Sequence, residues 1–548
     1  MIVQLGFAER ELVESVVDEG RARGVPLGRA LIEAGIVDSS QLAQALAERN
    51  GLDYVDLNVF EVDKGATALI DKGKARRYKT VPVAFLAERT LLVVTADPAN
   101  LMALDDITMA TGYEVQRAVA SPEDIDALIS NLSTLEDSVQ ELVDEDPAYD
   151  EAEVIELLES ADDAPVVKLV HSVIADAVRR GASDIHFEPG ASDMRVRFRV
   201  DGVVFDASTV PRKLIGGLVS RIKIMAELDI AEKRMPQDGR IGLSVDGSYV
   251  DLRVATLPVV RGESVVMRIL DKSQVVMDLE RLGMEEPERE RLERAINASH
   301  GAILVTGPTG SGKTTTLYAG LSAVNTPDRT LITVEDPVEY ELNGVKQVQV
   351  NTKTGLTFAS GLRSMVRADP DVIMVGEIRD SETAQIAIES ALTGHLVLTT
   401  LHTNSAPLAA ARMIDMGIEP FLVASGVECV VAQRLVRKLC GCKRPLKLSK
   451  DVLAESGFDV EIGFGAYEPA GCVRCANTGY RGRTGLYEVM TVSETIRRLI
   501  LERASSDDLL RAARLEGMRT LREDGLEKVR HGVTSIPEVL RVAGSTRT

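Results

Sequence analysis

The chain has 548 residues, enough for about three to four domains, and its 45% apolar share is sufficient for sizeable cores. Tryptophan is absent and aromatics make up only 4%, which leaves few base-stacking surfaces and argues against single-stranded nucleic-acid binding. The net charge of −21 is mostly local: no Lys or Arg stands between Arg117 and Lys168, where sixteen acidic residues lie, so the rest of the chain is close to balance at −5.

Residues 1 to about 50 predict a small helical unit. PLGRALIEAGIVDSSQLAQALAERNG carries apolar residues at helical spacing, breaks at Gly35, and offers Asp38, Ser39 and Ser40 as caps for the next helix. The opening MIVQLGFAERELVE is charged too early for a signal peptide, and no apolar run reaches the ~18 residues needed to cross a bilayer. The expected location is the cytosol, or the cytosolic face of a membrane. From Tyr54 to about Leu132 a compact α/β module is expected. TVPVAFLAERTLLVVTADP reads as two strands around a charged turn, and SPEDIDALISNL as a capped helix. Together, residues 1–132 form the first predicted region. The acidic run follows as a solvated linker, 133–163.

A second α/β domain is expected over 164–275. It opens with the helix VVKLVHSVIADAVRRG and continues through alternating strands such as MRVRFRVDG and SYVDLRVATLP. From 276 to 435 the pattern becomes repeated strand–helix units. Strands are predicted at 301–306, 330–335, 371–376 and 395–400, with the β-branched composition of a buried, mostly parallel sheet.

GPTGSGKTT follows the first of these strands and leads into a helical segment, which is the setting of a phosphate-binding P-loop. The loop residues are Gly307, Pro308, Thr309, Gly310, Ser311, Gly312, Lys313, Thr314 and Thr315. Backbone N–H groups would close on the phosphates, Lys313 would supply a positive charge, and Thr314 would offer its hydroxyl to Mg²⁺. ATP is the expected cofactor. Two acidic strand ends accompany the loop. DVIMVGE ends in Glu377, with Gly376 where an aspartate is usual, so one carboxylate must serve Mg²⁺ there. VEDPVEY brings Glu335, Asp336 and Glu339 to the end of an earlier strand. GHLVLTTLHTN then presents His395 and His402 at the two ends of one strand, where a polar group could sense the γ-phosphate.

Of the five cysteines, Cys440 and Cys442 form one pair and Cys472 and Cys475 another, separated by a loop. This is the pattern of a structural tetrahedral Zn²⁺ site in a reducing compartment, assigned to a small element at 436–482. Cys429 reads as a buried small apolar residue. The tail, 483–548, is expected to be helical beyond Gly485 and to end near Val542.

In this order the P-loop, VEDPVEY, the strand ending in GE and the histidine segment resemble Walker A, Asp box, Walker B and His box of the secretion ATPases. That family includes type II secretion, type IV pilus assembly and pilus retraction ATPases. ASDIHFEP, RVRFRVDG, EKRMPQDGRI, VVMRIL and the closing GMRTLREDGLEKVRHGVTSIPEVLRV extend the resemblance from residue 164 to 543. It implies a RecA-like domain preceded by α/β domains, and a homo-hexamer that binds ATP between them. Glu377 would handle Mg²⁺ or its water, Glu335 would position the attacking water, and His402 or His395 would couple nucleotide state to domain movement. Arginines of the preceding domain, for which Arg221 and Arg240 are the choices, would complete the site.

The resemblance further implies work through an inner-membrane platform protein and a docking protein on the cytoplasmic face. The four cysteines favour assembly or secretion over retraction, although C-x-C replaces the family's first C-x-x-C. The alternatives are a pilus retraction ATPase and a DNA-translocating motor; the acidic balance and lack of a basic stripe speak against nucleic acid. Some relatives bind cyclic di-GMP through tandem motifs that begin R-L-G and end in Gln. Here Pro26 and Arg49 stand at those positions and no second copy is evident, so the expectation is that cyclic di-GMP is not bound.

Overall fold

The computed structural model describes residues 1–22, 27–60, 62–87, 89–131, 165–245, 247–270, 278–446 and 465–544. The acidic run 133–163 lies outside the described residues. The chain divides into two compact units. One comprises Met1–Leu270 with Cys440–Lys443 and Pro469–Tyr480; the other comprises Asp271–Leu439, Arg444–Glu468 and Arg481–Thr548.

In the first unit, helix Ser39–Asn50 starts at the Asp38 cap, whose carboxylate accepts from the Gln41 amide while the Gln41 side chain returns the bond. A four-stranded sheet follows in the order Asp53–Tyr54, Glu114–Val119, Thr90–Thr95, Thr80–Ala87. The two strands predicted around the charged turn are Thr80–Ala87 and Thr90–Thr95. The capped helix is Pro122–Asn131, with Ser121 Oγ accepting from the Asp124 amide. A separate six-stranded sheet is antiparallel throughout and runs from Val203–Pro211 at one edge to Gln237–Val245 at the other. Helices Pro165–Arg179 and Arg212–Met225 bury Leu169, Val173, Leu218 and Ile222 against its Phe187, Val196 and Phe198.

The second unit is built on a seven-stranded sheet. Its order is Val345–Gln349, Leu331–Glu335, Val372–Val375, Leu396–Leu401, Gly301–Thr306, Val427–Leu439, Tyr480–Thr491. The first six strands are parallel. Both faces are covered. Leu304, Val334, Val375 and Val397 enter one core and Ile303, Leu331, Met374 and Leu398 the other, as the two-residue period of a buried strand requires. The four predicted strands are present to within a residue.

The tail departs from expectation. Residues 480–491 form a strand at the sheet edge before four helices, Glu494–Leu501, Ser506–Leu515, Leu521–Arg530 and Ile536–Ala543. Pairing beside Val427–Leu439 buries Leu486, Tyr487, Val489 and Met490, and this overrides the helical composition nearby.

Candidate functional site

Parallel strands place their C-terminal ends along one edge of the sheet, and these ends carry the chemistry. Gly301–Thr306 opens into the P-loop, Leu331–Glu335 ends in Glu335, Val372–Val375 leads to Glu377, and Leu396–Leu401 leads to His402. The loop turns into helix Lys313–Val324 through Gly310 and Gly312, at φ 78° and 88°. These angles belong to the left-handed region, where a Cβ is strained, so glycine is required.

Lys313 Nζ donates to the carbonyls of Gly307 at 2.9 Å and Pro308 at 3.1 Å, which folds the ammonium back over its own loop. Burial pulls its pKa below the usual lysine value, opposed by the nearby Glu377 carboxylate. Thr314 is exposed at the helix start. Ser311 Oγ is buried and has no hydrogen-bond partner among the described residues. A helix N-terminus with exposed loop amides, a lysine and an orphan hydroxyl fits a nucleotide phosphate with its Mg²⁺.

Glu377 faces this loop in a polar cluster. It pairs with Arg379, and its other oxygen lies 3.2 Å from His402 Nε2. Burial alone would raise its pKa, but Arg379 and His402 outweigh that and hold the carboxyl below the ordinary range. Arg379 also lies 3.9 Å from the Asp336 carboxylate. At Gly376, where an aspartate is usual, a Cβ would approach the Val334 carbonyl to 3.3 Å and Glu335 Cα to 3.4 Å, a tight fit against backbone.

The structure encloses one expected site residue and displaces another. Glu335, expected to position the attacking water, is held by its own neighbours. It is 3% exposed, and its oxygens accept from Tyr318 Oη at 2.5 Å, Thr333 Oγ1 at 2.6 Å and Gln347 Nε2 at 3.1 Å. Burial, with the Glu335 hydrogen bond second, raises the Tyr318 pKa, so the phenol stays a donor. Glu335 therefore ties a helix and two strands together, and the more open carboxylates of the segment are Asp336 and Glu339. His395 is displaced. It precedes strand Leu396–Leu401, accepts the Gly301 amide on its carbonyl, and holds Nδ1 2.9 Å from the Ser390 carbonyl. Gly301 begins the strand that ends at the P-loop, so His395 sits at the opposite sheet edge, and His402 alone joins the site.

Arg221 and Arg240 belong to the first unit. Arg221 is half-buried on helix Arg212–Met225, and Arg240 is exposed on strand Gln237–Val245 opposite Arg253.

Sequence reasoning missed Gln433. Its Nε2 donates to the Ser311 carbonyl at 2.7 Å, and its Oε1 accepts from Thr316 Oγ1 at 2.8 Å. A P-loop that turns its N–H groups inward must turn carbonyls outward, and this buried amide supplies the donor that Ser311 O needs. The adjacent Arg434 donates to Asn404 Oδ1 at 2.9 Å, two residues beyond His402, and so links the loop's support to the histidine segment. A lone Gln inside an apolar strand, AQRLV, was the only available signal. Gln433→Leu is expected to weaken nucleotide binding about tenfold, the worth of roughly one such bond. Titration with a fluorescent ATP analogue would measure it, and unchanged affinity would remove this role.

The cysteines converge in the first unit. All four Sγ atoms lie within 4.8 Å of one another, with Cys440–Cys472 at 3.7 Å, Cys442–Cys475 at 3.9 Å and Cys472–Cys475 at 3.6 Å. A tetrahedral Zn–S bond of about 2.3 Å sets the sulfur–sulfur edge at about 3.8 Å, so the set fits that ion. The C-x-C pair reaches it through a tight turn, with the Lys443 amide donating to the Cys440 carbonyl. Amides of Cys472 and Gly479 point at Cys475 Sγ at 3.1 and 3.2 Å. Cys429 is fully buried, as expected, and burial pushes its thiol up to about 12.

A family model described as Type II/IV secretion system protein matches residues 159–541. The chain belongs to this family. Members are P-loop ATPases, and the chain is a hydrolase that uses ATP and Mg²⁺. A type IV pilus assembly ATPase, PilB of Myxococcus xanthus (strain DK1622), is 43% identical over 98% of this chain and 97% of its own length. A type II secretion system protein E of Pseudomonas aeruginosa is 52% identical over 71% of this chain and 78% of its own length. The X-ray structure of the Yersinia pseudotuberculosis ATPase DotB shares the fold, with a TM-score of 0.51 at 20% identity over 68% of this chain and 92% of that one.

Residues 50–139 match a second model, the MshEN domain. This overturns the expectation that cyclic di-GMP is not bound. That reading rests on Pro26, which lies outside the described residues, and on Arg49, exposed at the end of helix Ser39–Asn50, whereas the matched domain begins at residue 50. A solved structure described as MshE with cdg covers 24% of this chain and 95% of its own length at 24% identity, with a TM-score of 0.22.

Proposed function

We propose that the chain is the ATP-driven motor of a type IV pilus assembly or type II secretion machine, acting as a hexamer at the cytoplasmic face of the inner membrane. Hydrolysis would drive pilin or pseudopilin polymerisation through a membrane platform protein. The observation that supports this most is the shared sheet edge, where the P-loop, Glu377 and His402 stand together in a chain of this family. No described helix is long and apolar enough to cross a membrane, so force would reach the membrane through partners.

In this reading Lys313 and the loop amides hold the phosphates, and Thr314 and Glu377 hold Mg²⁺ or its water. The Glu377–His402 contact reports the γ-phosphate. Water positioning falls to Asp336 and Glu339, and Arg221 and Arg240 supply positive charge from the first unit. Pilus assembly is favoured because the PilB relatives from Myxococcus and Pseudomonas each span 98% of this chain, the N-terminal part included. The higher identity to secretion proteins over 71% of the chain keeps secretion as the second reading. A deletion strain complemented with the wild type and with Lys313→Ala decides between them. Loss of surface pili with the variant supports assembly, and retention of secreted substrates inside the cell supports secretion. Full complementation of both by the variant would sink the motor.

Zn²⁺ at the cysteine cluster is part of this proposal. Four thiolates close the coordination sphere, so the metal has a structural role. Cys472→Ser is expected to remove about one zinc per chain, read by a colorimetric chelator after thiol modification, and to lower thermal stability.

A further inference from the structure

The N-terminal module and the cysteine cluster meet through the two residues between Cys472 and Cys475. Val473 and Arg474 fill the short turn between the ligand pair Cys472 and Cys475, and the thiols on the inner side of that turn send both side chains outward. Val473 packs against the apolar core of the 50–131 module, which includes Leu57, Val93 and Ile125. Arg474 enters a polar socket at the start of helix Pro122–Asn131. Its Nη2 donates to Asp124 Oδ2 at 2.9 Å, Ser40 Oγ at 2.8 Å and Ser121 Oγ at 3.3 Å; its Nε donates to Asp124 Oδ1, and Glu123 lies 3.8 Å away.

The Asp124 side chain is 0% exposed. From its own module it receives hydrogen bonds from Ser121 at 2.6 Å and Asn58 at 3.4 Å, both neutral. Burial favours the protonated acid, and the Arg474 and Ser121 hydrogen bonds outweigh that and keep it ionised. A buried carboxylate without a cation is strongly unfavourable, so the socket is matched to a guanidinium brought by another element.

We propose that the Cys472–Cys475 turn is the clasp of the N-terminal module: Arg474 docks in the Asp124–Ser121–Ser40 socket, and metal at the four cysteines holds the turn in the docking shape. This makes the cysteine element a control point for the module, and it rests on the zinc reading only in its metal dependence. A bidentate fork is needed, so lysine would not substitute.

The test is hydrogen exchange on the full-length protein, with zinc measured in the same samples. Arg474→Ala is expected to raise exchange of the 122–131 amides at least tenfold while zinc content stays at the wild-type level. The swap Arg474→Asp with Asp124→Arg should restore part of the protection, whereas Asp124→Arg alone should not. Chelation of the wild type should reproduce the Arg474→Ala pattern. Unchanged exchange in Arg474→Ala overturns the clasp. Protein that carries no zinc yet responds to Arg474→Ala overturns the metal dependence and the zinc assignment, and leaves the docking contact supported.

Discussion

Lys313→Ala is expected to cut ATP-dependent phosphate release by roughly 10²–10³-fold, the usual cost of removing one preorganised group that stabilises developing charge. Lys313 Nζ now rests on the Gly307 and Pro308 carbonyls, and phosphate oxygens compete well for it because they carry full charge. Its lowered pKa reflects partial burial, which strengthens its attraction to an anion arriving in the same place. Stability should fall by no more than about one hydrogen bond, roughly 1 kcal/mol, since Pro308 is exposed and water can take the place of the ammonium there, whereas Gly307 is buried. The assay must be run with assembled protein beside a melting curve. Equal phosphate release by variant and wild type at matched oligomer state would refute the assigned role.

Glu335→Ala is expected to have the largest effect on stability. It strips the acceptor from Tyr318, Thr333 and Gln347 at once, in a region where water does not enter. At about 1–3 kcal/mol for each orphaned donor the loss is roughly 3–5 kcal/mol after some rotor relaxation. That corresponds to a fall in melting temperature of about 10 °C for a unit of this size. The milder Glu335→Gln keeps an acceptor and separates structure from catalysis. If Glu335 serves only as a tie, Glu335→Gln melts lower yet turns over ATP at a rate within a few-fold of the wild type. Turnover slowed by about a hundredfold or more, with unchanged melting, would restore it as a water-positioning group. Glu377→Gln is the natural comparison, because that carboxylate is 20% exposed, against the closed-in Glu335, and its more exposed partners Arg379 and His402 can turn to solvent.

The P-loop, the acidic strand ends and the paired cysteines were legible in the chain because their chemistry is local. A phosphate cradle needs consecutive glycines before a helix, and a thiolate pair needs its two sulfurs on one turn. The strands carrying them were legible too, since burial on both faces demands unbroken β-branched runs. What escaped was decided by partners distant in sequence. Glu335 and Glu377 look alike at strand ends, and only the packing of Tyr318, Thr333 and Gln347 around one of them closes it off. His395 and His402 flank one strand, and only the parallel pairing with Gly301–Thr306 reveals that they occupy opposite edges. Gln433 gains its meaning from a loop some 120 residues earlier, and Arg474 from a socket 350 residues away. Local spacing specifies which groups can do the chemistry; burial and long-range pairing select which of them are free to do it.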